Sequence, residues 1–282
     1  MDSKQAPAAQ QQADQITALV TVYHRVDPQH LDQALESLWA QTFPAAEVIV
    51  VEDGELPEAL EAVVVKHEQD HDNLKVVRCP VNRGSGPASQ TGLEQVETPW
   101  VARLDADDIA VPERFEKQLL ALKANPSLSV IGSAMAEFEG DPGNVVRVRA
   151  LPESHDKIAR YAKMNSPVNN PSAMFRADLA RRVGGYRNRP YMEDYDLWAR
   201  MLAAGARFHN LSGPLVLFRA DGMFKRRTAK GIFSSERQMQ RTLRELGIIS
   251  WPRALFNLAA RTAFRALPTG LMSRAYRRLF VR

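Results

Sequence analysis

Three carboxylates, Asp105, Asp107 and Asp108, end an apolar run in the segment WVARLDADDIAVPERF, residues 100–115. Acids this close repel one another and raise each other's pKa unless a cation sits among them. Asp105 and Asp107 stand at i,i+2 where a predicted strand becomes a loop. A Mg2+ or Mn2+ site needs one or two such carboxylates, with phosphate oxygens and water completing the octahedron. A solvated turn with an Asp capping the next helix would show the same residues, so the cluster alone leaves both readings open. An EF-hand is excluded, because its fifth position would be Ile109 and the required glycine is missing. The six histidines show no HxH spacing, and their one HExxH match, HEQDH over His67 to His71, stands in a predicted helix with no strand-end acid beside it in the sequence, so zinc is not the expected metal. Ser-His-Asp catalysis lacks its G-x-S-x-G signature, and Cys79, following an apolar strand, reads as packing.

Other groups gather by position rather than by motif. Tyr23 and the Glu52-Asp53-Gly54 triplet also end apolar runs. Singly they pass for a half-buried aromatic and a turn. Together at one sheet edge, an aromatic face and a carboxylate could grip a base and ribose. The loop NRGSGPASQTG has Ser89 in place of the third glycine or alanine of a dinucleotide fingerprint and places Pro87 where a phosphate wants an N–H. A tight turn with Arg83 reaching a phosphate is the expectation there. Asp194 begins a helix and has two readings: a capping carboxylate worth about 1 kcal/mol, or a general base kept ionised by the helix N-terminus. Its neighbours Glu193 and Asp196 push its pKa the other way. The segment GMFKRR, 222–227, is either a solvated basic turn or a clamp in which Arg226 and Arg227 hold a diphosphate leaving group.

The elements that must position these groups alternate. After fifteen residues with almost no large apolar side chains, expected to be disordered, strands are predicted at ITALVTVYH, AEVIVVED and NLKVVRC, and a fourth ends at Asp105. Helices are predicted from Asp27-Pro28, over LPEALEAVVVKHEQ, to about Val96, and from Pro112 to about Ala124. Strand-helix units in series imply a parallel sheet covered on both faces, with ligands at the carboxyl ends of the strands. Further on, SLSVIGSAM and the more exposed NVVRVRAL read as strands. PVNNPSAMFRADLARRVGGY reads as a strand and short helix, and EDYDLWARMLAAG as a helix ended by Gly205. From about Thr228 the chain looks helical and basic.

Charge divides the same way. Residues 1–218 hold 22 Lys+Arg against 30 Asp+Glu, whereas residues 219–282 hold 15 against 3. An acidic catalytic body with a basic arm facing an anionic partner is the reading. In a helix from Arg253 to Ala266, Leu255, Leu258, Ala259 and Ala263 fall on one face and Arg253, Arg261 and Arg265 on the other. That pattern suits an anionic membrane surface, and docking onto the body's own acidic surface would use it equally. Nucleic acid is a third reading of the basic tail, and a non-catalytic nucleotide-sugar or glycan-binding module a rival for the body. The interleaved exposed aromatics of a single-strand binder are missing, so no nucleic-acid partner is expected. No apolar run approaches the roughly 18 residues of a spanning helix. One cysteine and no signal-peptide pattern point to the cytoplasm.

Over about Ile16 to Arg227 the chain resembles the family 2 glycosyltransferases of GT-A fold. The ordered blocks VTVYHR, QTFPAAEVIVVEDG, NRGSGPASQTGL, RLDADDIAVPERF, and NNPSAMFR with GGYRNRPYMEDYDLWARM carry the likeness. PYMEDYDLW and FRADGMFKRR are most similar to bacterial exopolysaccharide and O-antigen enzymes of the amylovoran type, which act on polyprenyl-diphosphate-linked sugars. The resemblance implies a Rossmann-like α/β/α sandwich with a mixed, mostly parallel sheet over 16–227 and a basic helical region over 228–282. It implies inverting, metal-dependent transfer from a nucleotide-diphosphate sugar, a UDP-sugar foremost, to a glycan or lipid-linked acceptor at the inner face of the plasma membrane. By residue, Thr21 and Tyr23 would line the uracil or other base, with Asp53 hydrogen-bonding it, Asp105 would contact the ribose or metal, and Asp107 would ligate Mn2+ or Mg2+. Asp194 would be the base, with Glu193 on the acceptor side. Ser89 stands where many relatives carry an arginine, leaving Arg83 to substitute. No QxxRW motif is present, which argues against a processive polymerase.

Overall fold

The computed structural model describes residues 12–221 and 231–265. Its first half follows the alternation. Strand β1 (Ile16–Val22) leads to helix α1 (Pro28–Trp39), β2 (Glu47–Asp53), α2 (Glu58–Asp70), β3 (Leu74–Cys79), α3 (Ser85–Gln95) and β4 (Trp100–Asp105). Asp27 caps α1, its side chain accepting the Gln29 N–H at 2.9 Å with proline next in line. After a two-residue strand β5 (Ile109–Ala110) come α4 (Arg114–Ala124), β6 (Leu128–Phe138), β7 (Val145–Arg149) and α5 (His155–Tyr161). Then follow β8 (Met174–Arg176), α6 (Ala177–Arg182), α7 (Glu193–Ala203), β9 (Arg207–Arg219), α8 (Ile232–Glu245) and α9 (Trp251–Arg265).

These strands form one sheet in the order β3-β2-β1-β4-β8-β6-β9-β5, with β7 on β6. The first four strands are parallel, whereas β8 runs antiparallel to both β4 and β6. The sheet is therefore mixed, not wholly parallel as strand-helix alternation alone implies. Strand β9 carries no alternation that would announce it, because Gly213-Pro214 interrupts it and its register against β6 shifts there. Alternate residues feed two cores. Ala18, Val20 and Val22 pack with α1, α2 and α4, while Leu19, Ile49 and Val51 pack with α3, α6 and α7. Gly92 lets α3 sit close, since a Cβ there would meet Leu19 Cδ1 at 2.3 Å.

Of the fifteen leading residues, 1–11 lie outside the described part. Ala13 and Asp14 are tied to the body, by the Trp100 indole N–H at 3.1 Å and by Lys123 at 2.7 Å. Helices α8 and α9 pack on α7 through Met239, Leu243, Ile249 and Ala254 against Met192, Tyr195 and Ala199. No helix among the described residues is long and apolar enough to cross a membrane.

Candidate functional site

Strand periodicity sorts the candidate residues. Thr21 shares the face of Leu19, Asp53 that of Ile49 and Val51, and Asp105 that of Val101. Thr21 stands in register with Asp105 on β4 and with Val51 on β2. All three side chains therefore open, at the carboxyl ends of their strands, toward the layer of α3, α6 and α7. Tyr23 follows one residue past β1 and is exposed. Glu52 falls on the opposite face, where it meets Arg78 at 3.4 Å. Burial first, then Glu61 and Glu68, pushes the Glu52 pKa up to about 7. It belongs to that surface knot and not to the site.

Asp53 does more than line a pocket. Its two carboxylate oxygens accept the N–H groups of Arg83 and Gly84, each at 2.8 Å, and the Asn82 amide donates to its carbonyl at 2.9 Å. The loop N–H groups that might have cradled a phosphate are engaged by Asp53 instead. The Arg83 guanidinium donates to Thr91 on α3 at 3.2 Å. Ser89 is buried in the same helix.

The three leading acids separate into two kinds. Asp105 and Asp107 are half-buried, whereas Asp108 is fully buried. Asp108 accepts the Arg219 N–H at 2.9 Å, and its pKa is driven well up by burial, then by Asp107 and Asp105. Arg219 in turn donates to the Asp107 carbonyl at 3.1 Å, to Gly140 at 3.2 Å and to Gln33 at 2.8 Å. Asp108 thus fastens the acidic loop to the end of β9, while Asp105 and Asp107 keep part of their surface exposed. Arg103 lies beneath, almost wholly buried, donating to the Leu19 carbonyl at 2.8 Å and to Asp105 Oδ1 at 3.3 Å. The Arg103 guanidinium holds the Asp105 side chain from below, and the carboxylate remains partly exposed.

Across from this pair, α7 brings Glu193 and Asp194 to its first turn. The turn before it is held by hooks. Gln90 of α3 accepts the Tyr186 N–H at 2.8 Å, and Asp196 pairs with Arg200 at 2.7 Å, which also donates to the carbonyls of Val183 and Gly185. Tyr191, with φ 69, is the one non-glycine residue at positive φ among those described. Backbone strain of this kind persists where surrounding structure overrides it, often beside a working group. Ser166 donates to Asp194 Oδ2 at 3.2 Å.

The helix N-terminus does not depress the Asp194 pKa. Burial, then the neighbouring Glu193 charge, outweighs the Tyr195 N–H and the Ser166 hydroxyl and pushes it up to about 7. Each carboxyl keeps a little solvent contact, yet the crowd of atoms around it dominates. Glu193 is raised as well, by burial first and also by Asp105, and its Oε2 has no hydrogen-bond partner. The buried hydroxyl of Tyr186, also unpartnered, lies within electrostatic reach of Arg103, Asp194, Asp105 and Glu193.

Hence Thr21, Asp53, Asp105, Glu193 and Asp194 share one face of the sheet, with Asp107 on the loop leaving β4. Arg226 and Arg227 lie outside the described residues. Arg103, Ser166, Tyr186 and Arg219 were not singled out in the sequence. A signal existed for Arg103, a charge inside an apolar strand, which rarely stays without a task. For Ser166 there was none.

Hard oxygen donors at two half-exposed carboxylates, facing acids that repel one another, fit a divalent cation that keeps phosphate and water as its other ligands. They do not form a closed protein cage. Among the described residues, the group with metal-ligand spacing is Asp32, Glu36 and His67, on α1 and α2. There Lys66 already reaches Asp32 at 2.9 Å and Glu36 at 3.3 Å.

A family model described as Glycosyl transferase family 2 matches residues 17–184. The amylovoran biosynthesis glycosyltransferase AmsE of Erwinia amylovora is 35% identical over 92% of this chain and 97% of its own. The UDP-Gal:alpha-D-GlcNAc-diphosphoundecaprenol beta-1,3-galactosyltransferase of Escherichia coli is 32% identical, over 94% of this chain and 96% of that one. Among solved structures, S. aureus TarS 1–349 in complex with UDP-GlcNAc superposes with a TM-score of 0.67 at 19% identity, covering 88% of this chain and 71% of that one. Mannosyltransferase PcManGT from Pyrobaculum calidifontis, in complex with GDP-Man and Mn2+, gives 0.62 at 18% identity, over 94% and 80%. At such identities the likeness to the solved structures is one of fold.

Proposed function

Since the chain belongs to glycosyl transferase family 2, we propose that it moves a sugar from a nucleotide-diphosphate donor, a UDP-sugar, to a glycan or polyprenyl-diphosphate-linked acceptor. The transfer inverts the anomeric centre, adds one sugar per encounter and serves cell-surface polysaccharide synthesis. One relative's name carries both a UDP-linked donor and a diphosphoundecaprenol acceptor, and the TarS structure holds UDP-GlcNAc.

The observation that carries the reading is Asp194: a carboxylate with its pKa near 7, steadied by Ser166, facing the strand-end acids across the same face. A base serves best when its pKa lies close to the working pH. The acceptor hydroxyl gives its proton to Asp194 as its oxygen bonds to the anomeric carbon. The bond from that carbon to the β-phosphate oxygen breaks, and its electron pair leaves with the nucleoside diphosphate. Thr21 and Tyr23 line the base, with Asp53 fixing the loop beside it, and Asp105 faces the ribose. Glu193 stands on the acceptor side. Asp107 and Asp105 would hold Mn2+ or Mg2+, which when bound supplies counter-charge to the diphosphate; a structural neighbour carries Mn2+ with its donor. Arg226 and Arg227 are assigned to the departing diphosphate.

Donor class is tested by a thermal-shift screen of nucleotides and nucleotide sugars with Mn2+. A ligand at about a hundred times its Kd stabilises the native form by about 2.7 kcal/mol, or roughly 5–10 °C in a chain of this size. UDP and at least one UDP-sugar should give that shift, and cytidine or guanosine analogues much less. Equal shifts from every nucleotide, or none from any, would contradict the assignment.

A further inference from the structure

The last described helix faces the opposite way from its hydrophobic pattern. In α9 the residues turned to the body are Ala254, Asn257 and Arg261. Asn257 donates to the Lys163 carbonyl at 2.7 Å and to Gln240 at 2.9 Å. Arg261 pairs with Glu236 and donates to the Met164 carbonyl at 2.6 Å and Asn165 at 3.2 Å. Of the arginine face, Arg261 is therefore docked on the body, whereas Arg253 stays exposed. Turned outward are Trp251, Leu255 and Phe256, at 60%, 57% and 57% exposure, with Ala259 and Ala263 continuing the ridge. Reading the helix by hydropathy alone pairs Leu255 and Ala259 against a surface; among the described residues no part of the protein covers them.

We propose that this ridge is a docking surface for an anionic phospholipid bilayer. Two arginines flank it in a telling way. The Arg244 guanidinium lies 4.9 Å from the Trp251 ring centroid, and that of Arg253 lies 5.6 Å from Phe256. An aromatic body beside a guanidinium suits the boundary where acyl chains meet phosphate. Every charged side chain from Leu246 to Arg282 is an arginine. Glu236 and Glu245, the acids of α8, are paired with Arg261 and Arg241. A second copy of the chain placed on this ridge across a twofold axis would bring arginine against arginine. A leaflet rich in anionic lipid meets both demands, apolar depth and negative charge. The docked surface does not depend on which donor or acceptor the enzyme uses, although a lipid-linked acceptor would lie in the same leaflet.

The test is co-sedimentation of the full chain with phosphatidylcholine vesicles, with and without phosphatidylglycerol, alongside the variant Leu255→Glu/Phe256→Glu. Both side chains are exposed, so the variant should keep the parent melting temperature and nucleotide binding. The wild-type chain is expected to pellet with phosphatidylglycerol vesicles, and the variant to partition at least about tenfold less. Equal partitioning of variant and parent overturns the proposal, as does equal binding of the parent to neutral vesicles. A parent that is dimeric by light scattering and a variant that is monomeric would assign the ridge to a second copy, and would also overturn it. Loss of nucleotide binding in both proteins would instead count against the proposed function and leave the lipid result standing.

Discussion

Asp194→Asn is expected to lower turnover by at least about a hundredfold, the lower end of what a positioned general base contributes, while nucleotide affinity stays near that of the parent. Asparagine matches the carboxylate in shape and can still accept the Ser166 hydroxyl, so the local structure should survive. What it cannot do is take a proton. In the parent, kcat/KM should fall about tenfold per pH unit below about pH 7, because a protonated Asp194 already carries the proton it would have to take. The same substitution should stabilise the fold. A carboxyl whose pKa is about 7 when folded and near 3.8 otherwise binds its proton more tightly in the native state. Its contribution therefore worsens as pH rises from about 4 to about 7 and is level beyond that. A shift of about three units at about 1.4 kcal/mol each sets an upper bound near 4 kcal/mol, less what residual solvent contact returns. A variant that is inactive yet melts higher at pH 8 is the expected pairing. Full activity in the variant would remove Asp194 from the chemistry.

Asp107→Asn should act on binding. The charge it removes is that of a partly exposed acid of the loop, whereas Asp108 is buried against the Arg219 N–H. Nucleotide affinity measured by calorimetry with Mn2+ should drop to the value found in EDTA, a loss of at least about tenfold, or about 1.4 kcal/mol. The fold should not suffer, because the neighbouring acids then repel one fewer charge. Unchanged affinity, with the Mn2+ effect intact, would contradict the assignment of Asp107.

Much of this site was legible because strands advertise themselves by apolar runs, and polar residues ending three of them mark one sheet edge. The parity of β1, β2 and β4 then places Thr21, Asp53 and Asp105 on a common face, whereas the adjacent Glu52 falls on the other. What sequence could not divide was the acid triplet. Asp108 is structural because Arg219, at the end of a strand broken by Gly213-Pro214, reaches back to it. The Asp194 pKa was likewise undecidable, since it depends on how many atoms crowd the carboxyl and not on its place at a helix start. In α9, hydropathy identified the two faces but not which one finds partners. Arg261 docks because Glu236 and two groups of the 164–165 loop wait for it.

That loop links the tail to Asp194. Arg261 holds Asn165, and the next residue, Ser166, steadies Asp194. Truncation before α9 would remove this support together with the exposed ridge, which is why point changes on the outward face separate the two roles.

The decisive measurement is a pair of wild-type titrations: Mn2+ affinity with and without saturating UDP, and UDP affinity with and without Mn2+. If the strand-end acids receive the ion together with a diphosphate, each ligand must tighten the other by the same factor, as linkage requires. At least about tenfold in both directions is predicted. Affinities that ignore one another would mean that no ion bridges these carboxylates and the donor.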